Sequence, residues 1–201
     1  MLTGGSLSSG DAELTVAVFC GSQAGIRRRY LEAAREAGRA LAERGVRVVY
    51  GGATVGSMGA LADACLAAGG RVIGVIPRFL VDLELAHAGV SELRVVETMA
   101  ERKAVMASLA QGFMVLPGAY GTLDEAFEMV TWRQLGLHGG PLVFANVDGF
   151  FDGLERFLDR AREDGLLSAR NRALAVFEPG VGPAIERLLR ELGVRGGGSV
   201  G

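Results

Sequence analysis

Histidine is nearly absent from this chain: His87 and His138 are the two among 201 residues. That scarcity leaves a Ser-His-Asp triad or a histidine-based metal cluster little to build on, and no HExxH motif occurs. An enzyme built on this sequence has to work through carboxylates, arginines and backbone dipoles. Cysteine is as scarce. Cys20 and Cys65 are too few and too scattered for a disulfide framework or a zinc site, so a reducing, cytoplasmic setting is the expectation. No apolar run is long enough to span a bilayer, and a membrane is not an expected partner. The opening stretch MLTGGSLSSGDAE lacks the basic start and apolar centre of a secretory signal. Nor is there an excess of positive charge. The formal net charge is −2, and the arginines alternate with glutamates on helix faces, so nucleic acid is not an expected partner either.

What is present is an ordinary globular balance, 49% apolar and 22% charged. The length suits one sizeable domain with a proper core. Small polar residues mark 1–12 as a disordered tail and 194–201 as a flexible one, leaving 13–193 as the domain. Within it, apolar runs at 14–20, 46–50, 72–76, 93–96, 113–116, 141–145 and 173–177 read as strands. Stretches with helical spacing at 26–44, 56–68, 99–110, 120–135, 150–163 and 182–192 separate most of them. Residues 78–91 read as an irregular loop over the ligand pocket. The strands are apolar throughout rather than alternating, which implies burial on both faces. The expectation is a doubly wound α/β fold, a mostly parallel sheet with helices on both faces. Ligands in such folds sit beyond the carboxyl ends of the strands. Gly21-Ser22, Gly51-Gly52, Pro77 and Pro117-Gly118 are expected to converge there, with Gly21, Ser22 and Gly52 binding substrate.

The stretch with most chemical content is Phe113 to Glu128, FMVLPGAYGTLDEAFE. It reads as buried strand, tight turn and helix start. Unpaired amides and the helix dipole at such a turn favour an anion, and a phosphate is the natural guest. Thr122 is expected to cap the helix and donate its hydroxyl to that guest. Asp124 and Glu125 fall one turn further in. A Rossmann site would place GxGxxG after the first strand, where CGSQAG stands one glycine short, and no Walker A GK[ST] follows any glycine turn, so a mononucleotide is favoured over a dinucleotide or a hydrolysed triphosphate. Taken singly, the other candidates are bland. Arg102-Lys103 reads as a solvated helix face, Glu125 as a first-turn acid and Cys20 as a small buried apolar residue. Both histidines read as surface or loop residues. Phe127, Met129 and Trp132 read as core or subunit contact.

In combination these segments resemble a known family. Phe19-Cys20-Gly21-Ser22, Tyr50-Gly51-Gly52, Gly56 to Gly59, Gly74-Val75-Ile76-Pro77, Arg102-Lys103 and Pro117 to Glu125 carry the resemblance. Thr131 to His138 and Asn146 to Phe150 extend it, in order, over roughly 16–177. The chain is similar to the LOG family, the cytokinin riboside 5′-monophosphate phosphoribohydrolases, whose members were often mislabelled lysine decarboxylases. The resemblance implies a Rossmann-like homodimer without metal or redox cofactor. It implies hydrolysis of the N-glycosidic bond of an adenosine 5′-monophosphate-type nucleotide to free base and ribose 5-phosphate. It makes Arg102 and Glu125 the catalytic pair. The turn Gly118, Ala119, Tyr120, Gly121 and Thr122 would hold the phosphate, and Glu84, Met99, Lys103 and Asp124 would contribute to the nucleotide pocket.

The sequence departs from the family pattern at several points. Ala119 replaces the second glycine of PGGxGTxxE, and Ala100 replaces the histidine of MHxRK. Ala53 and Ser57 replace the glycine and leucine of GGGxxGLMG. Two alternatives therefore stay open: a non-catalytic nucleotide-binding protein of the same fold, and a hydrolase of another nucleoside 5′-monophosphate. Lysine decarboxylation is disfavoured, because no lysine stands in an evident cofactor-binding context.

Overall fold

The computed structural model describes residues 13–83 and 85–194. Glu84 and the expected tails lie outside the described residues, apart from Val194, whose N–H bonds to Leu189 O. Seven parallel strands form one sheet: β1 (Thr15–Phe19), β2 (Arg47–Tyr50), β3 (Val72–Pro77), β4 (Glu92–Val96), β5 (Gly112–Val115), β6 (Leu142–Ala145) and β7 (Ala175–Glu178). The helices are α1 (Arg28–Ala42), α2 (Gly56–Ala67), α3 (Arg78–Val81), α4 (Met99–Leu109), α5 (Tyr120–Gln134), α6 (Asp152–Glu163), α7 (Ala169–Arg172) and α8 (Val181–Glu191). A single 3-10 turn, Val147–Gly149, precedes α6.

The strand order is β4-β3-β2-β1-β5-β6-β7. The chain winds outward from β1 to one edge, returns through α4 to the other side of β1, and winds outward again. The order therefore reverses between β1 and β5, which pair from Val16↔Gly112 to Phe19↔Val115. A cleft opens beyond the carboxyl ends of strands at such a reversal, because the flanking connections depart to opposite faces. Alternation within β1 shows those faces directly. Val16, Val18 and Cys20 join a core with Ala34, Ala37 and Leu41 of α1, Leu61 of α2 and Ile185 of α8. Ala17 and Phe19 join the other core with Met106 of α4, Ala126 and Met129 of α5, and Leu158 of α6.

Local chemistry sets the element ends. Gly45 lies at φ +66° just past α1, the left-handed geometry that ends a helix with no Cβ penalty. α1 and α2 approach closely at Gly38, where an added Cβ would lie 2.2 Å from Leu61 O. Pro183 falls in the first turn of α8.

Some expectations need correction. β4 is not buried on both faces: Leu93 and Val95 are exposed, and Glu92 and Arg94 pair at 2.6 Å. It is an edge strand, where charge guards an unpaired backbone rim. Residues 78–91 are less irregular than expected. They carry α3 and an isolated bridge, Ala53↔Ala86, and His87 N–H bonds to Gly52 O. His87 is buried, with Nε2 3.0 Å from Asp63 Oδ1. Met129 is buried beneath α5 and offers no partner surface. Trp132 and Phe127 pack against the same core.

Candidate functional site

A cleft of about 860 Å³ occupies the reversal between β1 and β5. Gly21 and Ser22 extend from β1, and Pro117 and Gly118 from β5. The start of α5 supplies Ala119, Tyr120, Gly121, Thr122 and Glu125, while α4 supplies Met99 and Arg102. Helix α5 begins without a side-chain cap. Leu123 N–H bonds to Ala119 O at 2.9 Å, so the amides of Tyr120, Gly121 and Thr122 precede the helical ladder. Such a start attracts negative charge. Helix α4 differs: Thr98 Oγ1 accepts from Glu101 N–H at 3.0 Å, and Glu101 Oε2 accepts from Glu97 N–H at 2.8 Å. Its start is thus occupied, and what it offers the cleft is Arg102.

Arg102 and Glu125 meet at the cleft wall. An Arg102 Nη2–H donates to Glu125 Oε1, and the residues are 5% and 2% exposed. Arg102 Nη1 lies 3.9 Å from Met99 Sδ, and buried Nε has no hydrogen-bond partner among the described residues. Burial pushes the Glu125 carboxyl above its ordinary range, with Arg102 pulling it back down. Gly51, at the end of β2, makes room for the guanidinium. An added Cβ there would lie 2.6 Å from Arg102 Nη2 and 2.8 Å from Met58 Cε.

Lys103, Asp124 and Gly52 fall outside the cleft lining. Lys103 Nζ lies 2.8 Å from Asp124 Oδ2 and 2.8 Å from Glu128 Oε2, beside the cleft rather than in it. Successive residues on a helix point about 100° apart, so Arg102 and Lys103 diverge, as do Asp124 and Glu125. Gly52 is buried at φ +76°, and an added Cβ would lie 2.9 Å from Ile76 Cβ, so its role is in the backbone turn. Pro77 continues β3 and is not in the lining. Thr122 is not the cap of α5. It is the third residue of the helix, buried and packed where a Cβ on Gly118 would fall, 2.1 Å from its Oγ1. Ala119 is exposed with φ −112°, outside the left-handed region that favours glycine.

The lining also includes Gln23, Gly25, Ile26, Arg27 and Tyr30, which were not singled out from sequence, and Met58 and Phe150, which lie in family-like segments but were given no role. Tyr30 and Phe150 meet edge to face with centroids 5.3 Å apart. Arg29 Nη1 holds Asp148 Oδ2 at 2.6 Å, and Asp148 sits at φ +52° in the turn that delivers Phe150. Nothing in the local pattern joins residues 119 positions or more apart; the aromatic pair needs the sheet order to be known. Cys20 lines the cleft while remaining buried, and burial first, then Glu125, raises its thiol well above the ordinary range. Neither histidine is in the lining. In each ring Nδ1 accepts a backbone N–H, from Gly89 to His87 and from Gly140 to His138, both at 3.1 Å. The ring proton is therefore on Nε2, which donates to Asp63 and to Met129 O respectively. No group of three or more His, Cys, Asp or Glu suited to a metal ion occurs among the described residues.

Comparison with known proteins agrees in sequence and in fold. Residues 58–188 match the family described as "Possible lysine decarboxylase". A rice protein (Oryza sativa subsp. japonica), probable cytokinin riboside 5′-monophosphate phosphoribohydrolase LOGL9, is 46% identical over 173 residues, 86% of this chain and 76% of its own. The Arabidopsis thaliana cytokinin riboside 5′-monophosphate phosphoribohydrolase LOG2 is 41% identical over 176 residues, 88% of this chain and 82% of its own. Among solved structures, the molybdenum cofactor carrier protein of Chlamydomonas reinhardtii superposes with a TM-score of 0.68 at 21% identity, covering 90% of this chain and 99% of that one. That likeness is one of fold alone. With relatives of this identity over most of its length, the chain belongs to the LOG family.

Proposed function

We propose that this protein hydrolyses the N-glycosidic bond of a nucleoside 5′-monophosphate, an adenosine-type nucleotide, to free base and ribose 5-phosphate. The observation that carries the reading is the buried Arg102–Glu125 pair, set in one cleft with the uncapped start of α5. The amides of Tyr120, Gly121 and Thr122 receive the phosphate, and that remote grip fixes the sugar. As the bond from C1′ to the base nitrogen breaks, its electron pair leaves with the base and positive charge builds on the ribose. Glu125 stabilises that charge and orients a water molecule. The water oxygen bonds to C1′, and its released proton ends on the base. Arg102 stays charged and is a poor proton donor, so it clamps the substrate through the donors that Glu125 does not use. The curated relatives make a cytokinin-type N6-substituted adenine the first base to test.

The reaction needs no cofactor. Buried, unpaired Cys20 and Cys65 support a reducing compartment, and the cytoplasm is the one inferred. Exposed Met99 and Tyr120 at the cleft support a homodimer, tested by light scattering across a concentration series. For the activity, the protein is incubated with AMP and isopentenyl-adenosine 5′-monophosphate, and base and ribose 5-phosphate are measured chromatographically. Equimolar release of both is expected. Nucleotide that binds and stays intact would leave a binding protein instead.

A further inference from the structure

The geometry points to Lys103 as a positioning residue that holds Glu125 from outside the cleft, through the Lys103–Asp124–Glu128 bridge between α4 and α5. The inference rests on the reading of Glu125 as the reacting carboxylate, but its test does not. Lys103 follows Arg102 in sequence, and Asp124 precedes Glu125, so α4 and α5 are joined by two adjacent rungs. One is the Arg102–Glu125 pair in the cleft wall. The other is the Lys103 ammonium, at 2.8 Å from each of two carboxylates on α5. Its side chain is 13% exposed; it donates a hydrogen bond to Asp124 Oδ2 and pairs by charge with Glu128 Oε2, which leaves it poorly placed to serve as a substrate ligand.

Asp124 and Glu128 stand four residues apart, so without the ammonium they repel along the same face of α5. The bridge therefore fixes how α5 meets α4, and with it the direction in which Glu125 faces Arg102. It also sets the field at Glu125. The charged and titratable groups facing that carboxyl are Arg102 and Lys103 from α4, Asp124 from its own helix, and Cys20 from the end of β1. Arg102 and Lys103 favour the ionised form and Asp124 opposes it, while the Cys20 thiol stays neutral. Lys103 keeps its own charge: burial opposes the ammonium, and the two carboxylates more than restore it.

The test reads Glu125 directly, from the carboxyl ¹³C titration of glutamate-labelled protein, with the resonance assigned by its absence in E125Q. In K103M the Glu125 midpoint moves up by roughly half a pH unit or more, the effect of one screened charge a few ångströms away. In D124N it moves down. K103R keeps the wild-type midpoint. In the base-release assay the acid limb of kcat/KM moves with the titration, while KM changes by less than about threefold. A K103M midpoint that does not move, or K103M and D124N midpoints that move the same way, overturns the positioning role. So does a K103M variant whose KM rises more than tenfold at unchanged kcat, since that makes Lys103 a substrate ligand. If wild type releases no base but the titrations move in opposite directions, the hydrolase reading fails and the positioning of Glu125 stands.

Discussion

Replacing Glu125 by Gln separates the cost of the site from its use. The carboxylate is 2% exposed and has Arg102 as its ionic partner, and burial raises its pKa in spite of that partner. A carboxyl whose folded value lies above the unfolded one contributes stability that is fully present below the unfolded pKa. That contribution is lost as pH rises through the folded value. Wild-type stability should therefore fall across that window, by about 1.4 kcal/mol for each unit that the folded value lies above the unfolded one. E125Q keeps the shape of the side chain without the charge, so its denaturation midpoint should be flat across the same window. Its level at neutral pH carries a separate cost, because Gln leaves the buried Arg102 guanidinium without an ionic partner. Base release should fall sharply. Removing a charge aimed at a developing cation costs on the order of 100- to 1000-fold in kcat, about 3–4 kcal/mol of barrier. Urea denaturation at intervals from pH 4 to 8, with base release on the same samples, reads both quantities. Turnover within tenfold of wild type would take Glu125 out of the chemistry. A stability difference, wild type minus E125Q, that grows as pH rises across that window would refute the burial argument.

Other substitutions test the surroundings. Gly51→Ala places a methyl group against the Arg102 guanidinium and Met58 Cε, so kcat should fall at least tenfold while the thermal midpoint changes little. Gly38→Ala should do the reverse. It drives a Cβ into Leu61 O between α1 and α2, costing about 1–3 kcal/mol in denaturant titration with kcat unchanged for the folded fraction. Ala119→Gly restores the family residue at a position whose φ is already negative, so it relieves no strain. It should lower stability by about 0.4–1 kcal/mol through the unfolded chain, and a gain in thermal midpoint would contradict the backbone reading.

Much of this architecture was legible because each signal was local. Apolar runs marked seven strands, four of them ending at Gly or Pro, and Phe113 to Glu128 read directly as strand, turn and helix. The edge strand β4 was less legible, since its burial depends on where it falls in the sheet rather than on its own residues. The four-residue α3 and α7 escaped for want of periodicity; the Ser168 cap, which accepts from Asn171 N–H, was the available signal for α7. At the site, Arg102 and Glu125 needed the family pattern, because alone they look like ordinary helix-surface charges. Lys103 and Asp124 carry the same motif yet turn away from the cleft, a distinction set by 100° of helical rotation that proximity in sequence conceals. Tyr30 and Phe150 meet across the sheet reversal, where only tertiary structure brings them together.

The first strand of the chain is also the middle of the sheet. β1 waits between β2, formed soon after it, and β5, which follows much later in the chain; Gln111 Oε1, 96 residues on, then accepts from Thr15 N–H at 2.8 Å to close the seam. During synthesis a nascent chain can assemble β1 to β4 as a half-sheet with one open side. No nucleotide can be recognised until the other half docks, so ligand affinity reports completion of the fold rather than progress toward it.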